Sequence, residues 1–354
     1  MTKVSFSSGF TSPRRCSSRP ISSTIMSCSN LVTIPVAIKA HKRADDVKFI
    51  DGSWHMPVGD NPRNGRAEFA SGPRIPGALY FDIDDIAPVM GSKDNPKSLP
   101  HMKPSRKMFA SAMDQMGITP SDTIYVYATN DCAFYHRAYW TLRSCGHDPA
   151  LVNLVQGNLD EWKENGGELE EGELVEGDDK RLFRMKDLGW EEKTPKYQCL
   201  NEDNADNVVV DMDQVLNIVN KQKDANNAVI IDARSAGRFD GSAPEPRPGL
   251  RGGHMPEALN VPFTDLLLDT DKTKFKPMDE VRDIFIKAGV APVNDDDAEG
   301  RKIVCTCGSG VTAAALAVGL EESGLRKKED ISIYDGSWIE WGGDDSTPIV
   351  SSSS

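Results

Sequence analysis

The sequence predicts an α/β protein of two tandem domains, each a parallel sheet flanked by helices on both faces. Three observations lead there. Segments recur about 180 residues apart: Phe49-Ile50-Asp51 as Ile230-Ile231-Asp232, Ile75-Pro76-Gly77-Ala78 as Met255-Pro256-Glu257-Ala258, and Gly157-Asn158-Leu159-Asp160-Glu161-Trp162 as Gly336-Ser337-Trp338-Ile339-Glu340-Trp341. A period that long marks a duplicated domain rather than a solenoid repeat. Short β-branched or apolar runs alternate with helical stretches, the pattern of parallel sheets covered on both faces. At Cys307, finally, an apolar run passes through a Gly-rich turn directly into an Ala-rich helix. In such sheets the functional loops sit at strand C-termini.

In the first repeat the strands fall at 49–50, 124–127 and 151–154, and in the second at 229–231, 303–305 and 331–334. Helices are expected at 107–116 and 312–322. The chain then divides into a leader or disordered segment (1–44), a first domain (45–163), an acidic linker (164–206), a second domain (207–345) and a disordered tail (346–354). Aligning the repeats sets Tyr127 against Thr306 and Ala128 against Cys307. The first repeat has alanine at that position, and its loop Thr129-Asn130-Asp131-Cys132-Ala133-Phe134 lacks glycine. Cys132 falls several positions late. The first domain is therefore expected to be catalytically silent and to form one wall of a cleft.

Composition narrows the partners. The formal net charge is −13, and residues 1–44 hold seven cations and no Asp or Glu, so the remainder carries about −20. A body this acidic is not expected to bind nucleic acid or an anionic membrane surface, and no stretch is long and apolar enough to span a bilayer. The basic, Ser-rich start reads as an organellar transit peptide, mitochondrial rather than plastid, with a disordered cytosolic extension as the alternative. The linker's charge run, Gly167-Glu168-Leu169-Glu170-Glu171-Gly172, reads as solvated. The seven cysteines, Cys16, Cys28, Cys132, Cys145, Cys199, Cys305 and Cys307, are odd in number and irregular in spacing, which argues against a disulfide framework. Cys305 is expected to be a small buried strand residue, with a redox role as a second reading. No further His or Cys lies near it in sequence to complete a metal site.

The loop Cys307-Gly308-Ser309-Gly310-Val311-Thr312 carries the chemistry. Its amides and the helix N-terminus favour an anion, so a thiol there is expected to have a lowered pKa and to act as a nucleophile. A cysteine phosphatase needs an arginine closing a longer loop to grip phosphoryl oxygens. Ala313 stands at that position, which argues against phosphoryl transfer. The shorter loop suits a smaller group on sulfur, such as one extra sulfur atom.

With Asp51-Gly52-Ser53-Trp54-His55-Met56-Pro57, Phe81-Asp82-Ile83-Asp84, Gly237-Arg238-Phe239, Pro244-Glu245-Pro246-Arg247, Gly253-His254-Met255-Pro256 and Tyr334-Asp335-Gly336-Ser337-Trp338, this loop resembles that of the mercaptopyruvate sulfurtransferases, the two-domain branch of the rhodanese superfamily. The resemblance covers about Asp46 to Gly343 and implies tandem rhodanese-like domains. It implies transfer of sulfur from 3-mercaptopyruvate, through a persulfide on Cys307, to a thiol acceptor such as thioredoxin or a small thiol, or to cyanide, with pyruvate released and no cofactor. Catalysis would involve Cys307, Ser309, Asp84 and His101, the last separated from Asp84 by extra residues around Asp94-Asn95-Pro96-Lys97. Arg238 and Arg247 would grip the donor carboxylate from the loop after the second domain's first strand. Gly308, Gly310, Val311 and Thr312 would line the donor. Ser309 would donate to the substrate carbonyl, relay a proton, or merely shape the loop. Arg234 reads as a structural ion-pair residue and His254 as a turn brace. Thiosulfate-type rhodaneses carry cations in this loop, whereas here it is neutral. The alternatives are a thiosulfate:cyanide sulfurtransferase and a noncatalytic sulfur carrier or redox sensor.

Overall fold

The computed structural model describes residues 29–43, 46–57, 60–175, 180–200, 208–221, 228–290 and 301–352. The first sheet contains β1 (Leu31–Thr33), β2 (Val47–Asp51), β3 (Leu79–Tyr80), β4 (Thr123–Tyr127) and β5 (Val152–Gln156), ordered β1-β5-β4-β2-β3. The second contains β6 (Val209–Val210), β7 (Val229–Asp232), β8 (Leu259–Asn260), β9 (Ile303–Thr306) and β10 (Ile331–Tyr334), ordered β6-β10-β9-β7-β8. The two orders are the same path drawn twice, and every pairing is parallel. Register confirms the internal alignment, since Asp51 faces Tyr127 and Asp232 faces Thr306. Ala128 and Cys307 therefore occupy equivalent positions. β4 and β9 are central in their sheets, so the segments leaving them emerge at the middle of each C-terminal edge.

Local chemistry explains the helices. Helix Arg106–Met116 begins at Ser105, whose side chain accepts from the Met108 amide, and ends at Gly117 in the left-handed region. Helix Ala313–Glu322 is buried from Ala313 through Leu320. A helix apolar on all sides needs cover on all sides. The second sheet supplies part of it, and helix His136–Ser144 of the first domain lies against it across the seam. One hydrophobic cluster consequently runs through both domains, from Ile50, Met113 and Tyr139 to Phe285, Leu316 and Ile333. Polar links fix the seam: Arg143 grips Glu321 through two contacts of 2.7 Å, and Tyr135 donates to the Thr273 carbonyl at 2.7 Å.

Three expected boundaries move. The segment expected to be a leader to residue 44 contains β1 and helix Ile34–His41, with Leu31 paired to Leu154 and Ile34, Ala37 and Ile38 buried. Its lack of acidic residues conceals a β-branched strand followed by a helix with proline in its first turn. Residues 1–28, with Cys16 and Cys28, lie outside the described residues. The acidic linker also packs. Glu170 bridges Arg74, and Leu182, Phe183, Met185 and Tyr197 are buried, so apolar anchors spaced among the charges hold it to the first domain; residues 176–179 and 201–207 are outside the description. The tail docks on the second domain through Ser352: Val350 bridges His254, the Ser352 amide donates to Asp240 at 2.9 Å, and Arg251 donates to the Thr347 carbonyl at 3.0 Å. Residues 353 and 354 are not described.

The duplicated sheets differ in one buried charge. Asp232 is neutralised by Arg234 at 2.6 Å. The matching position in the first repeat is Ser53, which leaves Asp51 buried with only neutral donors such as the Ser53 amide at 2.9 Å. Burial, opposed by those hydrogen bonds, pushes the Asp51 pKa up to about 6. A raised folded-state pKa favours folding at low pH, and that advantage disappears as pH rises from about 4 through about 6. Asp51→Asn is therefore expected to raise stability at pH 8 by about 1–3 kcal/mol. The gain should fade below about pH 4, as urea midpoints at the two pH values would reveal.

Candidate active site

β9 brings the chain to Cys307, which is only 2% exposed. The loop then turns through Gly310, at φ +80°, and Thr312 opens helix Ala313–Glu322. Its outer side is fastened to helix Ser337–Trp341. The Cys307 and Gly308 carbonyls accept from the Trp338 and Ile339 amides, each at 3.0 Å, and the Cys307 amide donates to Ser337 Oγ at 3.3 Å. The amides of Gly308, Ser309, Gly310, Val311 and Thr312 have no protein acceptor among the described residues. Unmatched backbone donors are rare in protein interiors. A succession of them beside a buried thiol, at a helix N-terminus, makes a cradle for an anion carried on sulfur.

The second domain arranges its arginines unequally. Arg238 lies on the short helix Ala236–Asp240 rather than in an open loop. A β-carbon added to Gly308 would stand 2.9 Å from Arg238 Nη2, so this guanidinium overlies the loop. Arg238 is paired with the buried Glu245 at 2.6 Å; Glu245 also holds Arg234 at 2.8 Å, and Arg234 holds Asp232. Two cations and two carboxylates thus form a neutral group. Arg234 is structural, as expected, and stacks over Trp338 at 4.0 Å. Arg247, flanked by Pro246 and Pro248, has no ion pair within salt-bridge distance among the described residues. Burial lowers its pKa and the neighbouring Arg238 acts in the same direction, while Cys307, Glu245 and Asp84 oppose the shift. Arg247 is thereby placed within electrostatic reach of Cys307 and of the first domain's Asp84.

The first domain contributes a Trp54–Asp84–His101 group. Trp54 Nε1 donates to Asp84 Oδ2 at 2.8 Å, and His101 Nδ1 hydrogen-bonds Asp84 Oδ1. Partial burial pushes the Asp84 pKa up, but the hydrogen bond and charge of His101, with Trp54 and Arg247, outweigh it and bring it below the usual carboxylate value. With Nδ1 occupied by the carboxylate, Nε2 is left as the working nitrogen; it is buried and has no partner among the described residues. His101 has a left-handed backbone at φ 59° and packs edge-on against Trp54, with ring centroids 4.8 Å apart. Ser309 is buried in the loop, but no hydrogen bond joins it to His101.

Cys132, Cys305 and His254 are each enclosed by packing. Cys132 is buried, hydrogen-bonded to the Trp54 carbonyl at 3.4 Å, and pushed by burial up to about 11. It is a thiol at neutral pH. Cys305 is buried in β9, and burial raises its pKa strongly. His254 stacks on Phe239 at 3.8 Å and hydrogen-bonds its carbonyl at 2.8 Å, bracing the helix that carries Arg238. No cluster of three or more potential metal ligands occurs among the described residues, and none of their helices is long and apolar enough to cross a membrane. Sequence reasoning missed Glu245 and Asp335, although both stand in quoted motifs. It also missed Arg137, which no local pattern marks.

Comparison with known proteins supports the same class. The family model for the rhodanese-like domain matches residues 215–344. Thiosulfate/3-mercaptopyruvate sulfurtransferase 1, mitochondrial, of Arabidopsis thaliana is 33% identical over 316 residues, spanning 89% of this chain and 76% of the relative. The 3-mercaptopyruvate sulfurtransferase of Escherichia coli K12 is 34% identical over 306 residues, spanning 86% and 92%. Among solved structures, Escherichia coli SseA, described as a 3-mercaptopyruvate sulfotransferase, superposes with a TM-score of 0.64 at 30% identity over 88% of this chain and 99% of its own. Tum1 of Saccharomyces cerevisiae does so at 0.68 and 26% identity, over 92% and 99%. The chain belongs to the rhodanese superfamily of sulfurtransferases and transfers sulfur through a catalytic cysteine. Within that superfamily it is a tandem-domain enzyme closely related to the 3-mercaptopyruvate sulfurtransferases, with the chemistry of a small-molecule sulfur donor and a thiol acceptor.

Two loop glycines differ in what a methyl group would meet. At Gly310 a β-carbon would lie 2.9 Å from both the carbonyl oxygen and Oδ1 of Asp335, on a left-handed backbone. Gly310→Ala is expected to destabilise the protein by about 1–3 kcal/mol and to slow turnover at least ~10-fold. At Gly308 the methyl meets only the guanidinium end of Arg238, with no main-chain atom in its way. Gly308→Ala should keep the wild-type unfolding midpoint and raise KM for an anionic donor. Urea unfolding together with steady-state kinetics separates the two effects.

Proposed function

We propose that the donor is 3-mercaptopyruvate and that Cys307 carries the transferred sulfur. The observation that carries this reading is the charge balance around a neutral loop. Asp232, Arg234, Glu245 and Arg238 cancel, and Arg247 is left without an ion pair among the described residues. One uncompensated, half-buried guanidinium matches one carboxylate. Thiosulfate, a dianion, has a weaker match. In this reading Arg247 anchors the donor carboxylate, while Glu245 holds Arg238 over Gly308 to orient the adjoining carbonyl.

The Cys307 thiolate attacks the donor sulfur, and a new S–S bond forms as the C–S bond breaks. The bonding pair goes to carbon, producing the enolate of pyruvate. His101 Nε2, oriented by Asp84, supplies the proton that completes pyruvate. The donor's S–H proton leaves the outer sulfur for solvent, and the loop amides hold the resulting persulfide anion on Cys307. A thiolate acceptor then attacks the outer sulfur, takes it as its own persulfide and restores the Cys307 thiolate. Thioredoxin or a small thiol fits that role, and cyanide replaces it in an assay. We also place the protein in the mitochondrion. The basic, acid-free start supports that location, and a leader would end before β1 at Leu31.

The test compares pyruvate release from 3-mercaptopyruvate with thiocyanate formation from thiosulfate, using the full chain. The expected result is a kcat/KM at least ~10-fold higher for 3-mercaptopyruvate, a difference of about 1.4 kcal/mol in transition-state binding. Cys307→Ser should abolish both activities. Preference for thiosulfate would overturn the donor assignment, and undiminished turnover by Cys307→Ser would overturn the nucleophile.

A further inference from the structure

Arg137 lies on the helix of the noncatalytic domain that faces the seam and is 1% exposed. A buried guanidinium requires partners for its charge and its donors, and the partners here are informative. Nη2 donates to the carbonyl of His101 at 2.6 Å. Nη1 donates to the carbonyl of Gly310 at 3.0 Å and stands 2.7 Å from Asp335 Oδ1. The other Asp335 oxygen accepts from the Lys103 amide at 2.6 Å, two residues beyond His101. The plane of the guanidinium rests over Trp140 at 4.6 Å. One rigid fork therefore joins the peptide carrying His101 to the crown of the Cys307 loop. Asp335, the neutralising carboxylate, lies in the loop's own domain and fastens the His101 segment a second time.

Both peptides held in this way have left-handed backbones, φ 59° at His101 and φ +80° at Gly310. For histidine that conformation is disfavoured and requires restraint from its surroundings. An ion pair that merely joined the domains would need only the two side chains. This one is fastened to the main chain of the two segments that must be in register when the enolate takes its proton.

We propose that Arg137 is a positioning residue for sulfur transfer, holding His101 in register with the Cys307 loop across the domain seam. The proposal rests on the proton-delivery role given to His101 above. An error of about 1 Å in such a register is enough to slow a reaction by ~100-fold.

The experiment measures single-turnover pyruvate release and its pH profile in the full-length protein. The variants are Arg137→Lys, Arg137→Met, His101→Gln and the double variants, with rates expressed per folded site by Cys307 thiol titration. Arg137→Met is expected to slow pyruvate release at least ~10-fold with little change in KM, and to flatten the same limb of the pH profile that His101→Gln removes. Arg137→Lys keeps the charge without the planar fork, so it should fold and still be slow. If Arg137→Met does not fold, Arg137→Lys carries the comparison. Each double variant should be no slower than His101→Gln alone. Losses that multiply, or a wild-type rate in Arg137→Lys, would overturn the proposal. If His101→Gln is slow while the Arg137 variants are not, only the positioning role fails. If His101→Gln is as fast as wild type, the proton-delivery reading fails first.

Discussion

The proposed reaction requires an anionic sulfur to be sustained inside a buried loop that contains no cation, and much of the structure fits that constraint. Fixed charge beside Cys307 would serve the purpose, but Gly308 through Thr312 are all neutral. The backbone supplies the polarity instead. Helix Ser337–Trp341 occupies the Cys307 and Gly308 carbonyls through the Trp338 and Ile339 amides, and the loop's own amides remain unmatched. Dipoles fixed by the fold require no reorganisation when charge arrives, which is why they are effective in a site sheltered from water. Glycine at 308 leaves room for Arg238, and glycine at 310 leaves room for Asp335. Side-chain charge is thus displaced from the loop itself to its rim, where the proposed donor's carboxylate would meet it.

The duplication divides the remaining work. Both repeats build the same sheet path and present a segment from the middle strand at the same edge. The second repeat keeps Arg234 beside Asp232 and uses it to hold Glu245, which in turn holds Arg238. The first repeat has Ser53 there and Ala128 at the position equivalent to Cys307. It supplies Trp54, Asp84 and His101 instead. The site lies at the seam because the Ala-rich helix behind the loop is apolar on all sides and draws the first domain's helix against it. The packing that covers a hydrophobic helix is also what brings His101 toward Cys307.

How much of this was legible follows from the range of each interaction. The Cys307 loop, the central strands and the helices at 106–116 and 313–322 are written in local patterns: β-branched runs, a glycine-rich turn, a capping serine. The equivalence of Ala128 and Cys307 followed from the repeat alone. The boundaries were misplaced where charge obscured packing. The basic start has the composition of a leader, yet Leu31, Ile34 and Ile38 anchor its end to the first domain. The acidic connection has the charge of a solvated linker, yet Leu182, Phe183 and Tyr197 within it are buried. Arg137 was invisible for a different reason. Its partner Gly310 is 173 residues away, and nothing around either residue announces the other.

Charge number, more than shape, distinguishes the donors in this reading. The protein carries a formal charge of −13, so its long-range field opposes any anion approaching the cleft, and opposes a dianion more strongly. At short range the neutral Asp232–Arg234–Glu245–Arg238 group adds little, and Asp84 on the opposite wall is negative. Arg247 is a local cation with no ion pair among the described residues, and burial, with the neighbouring Arg238, lowers its pKa. A monoanion is matched by that one guanidinium. A dianion is matched in the same way and then adds an unpaired negative charge to a half-buried site already facing Asp84. Burying an uncompensated charge is among the more costly changes a protein can make. The same pairing that holds Arg238 in place therefore restricts the charge of the molecule that can follow it in.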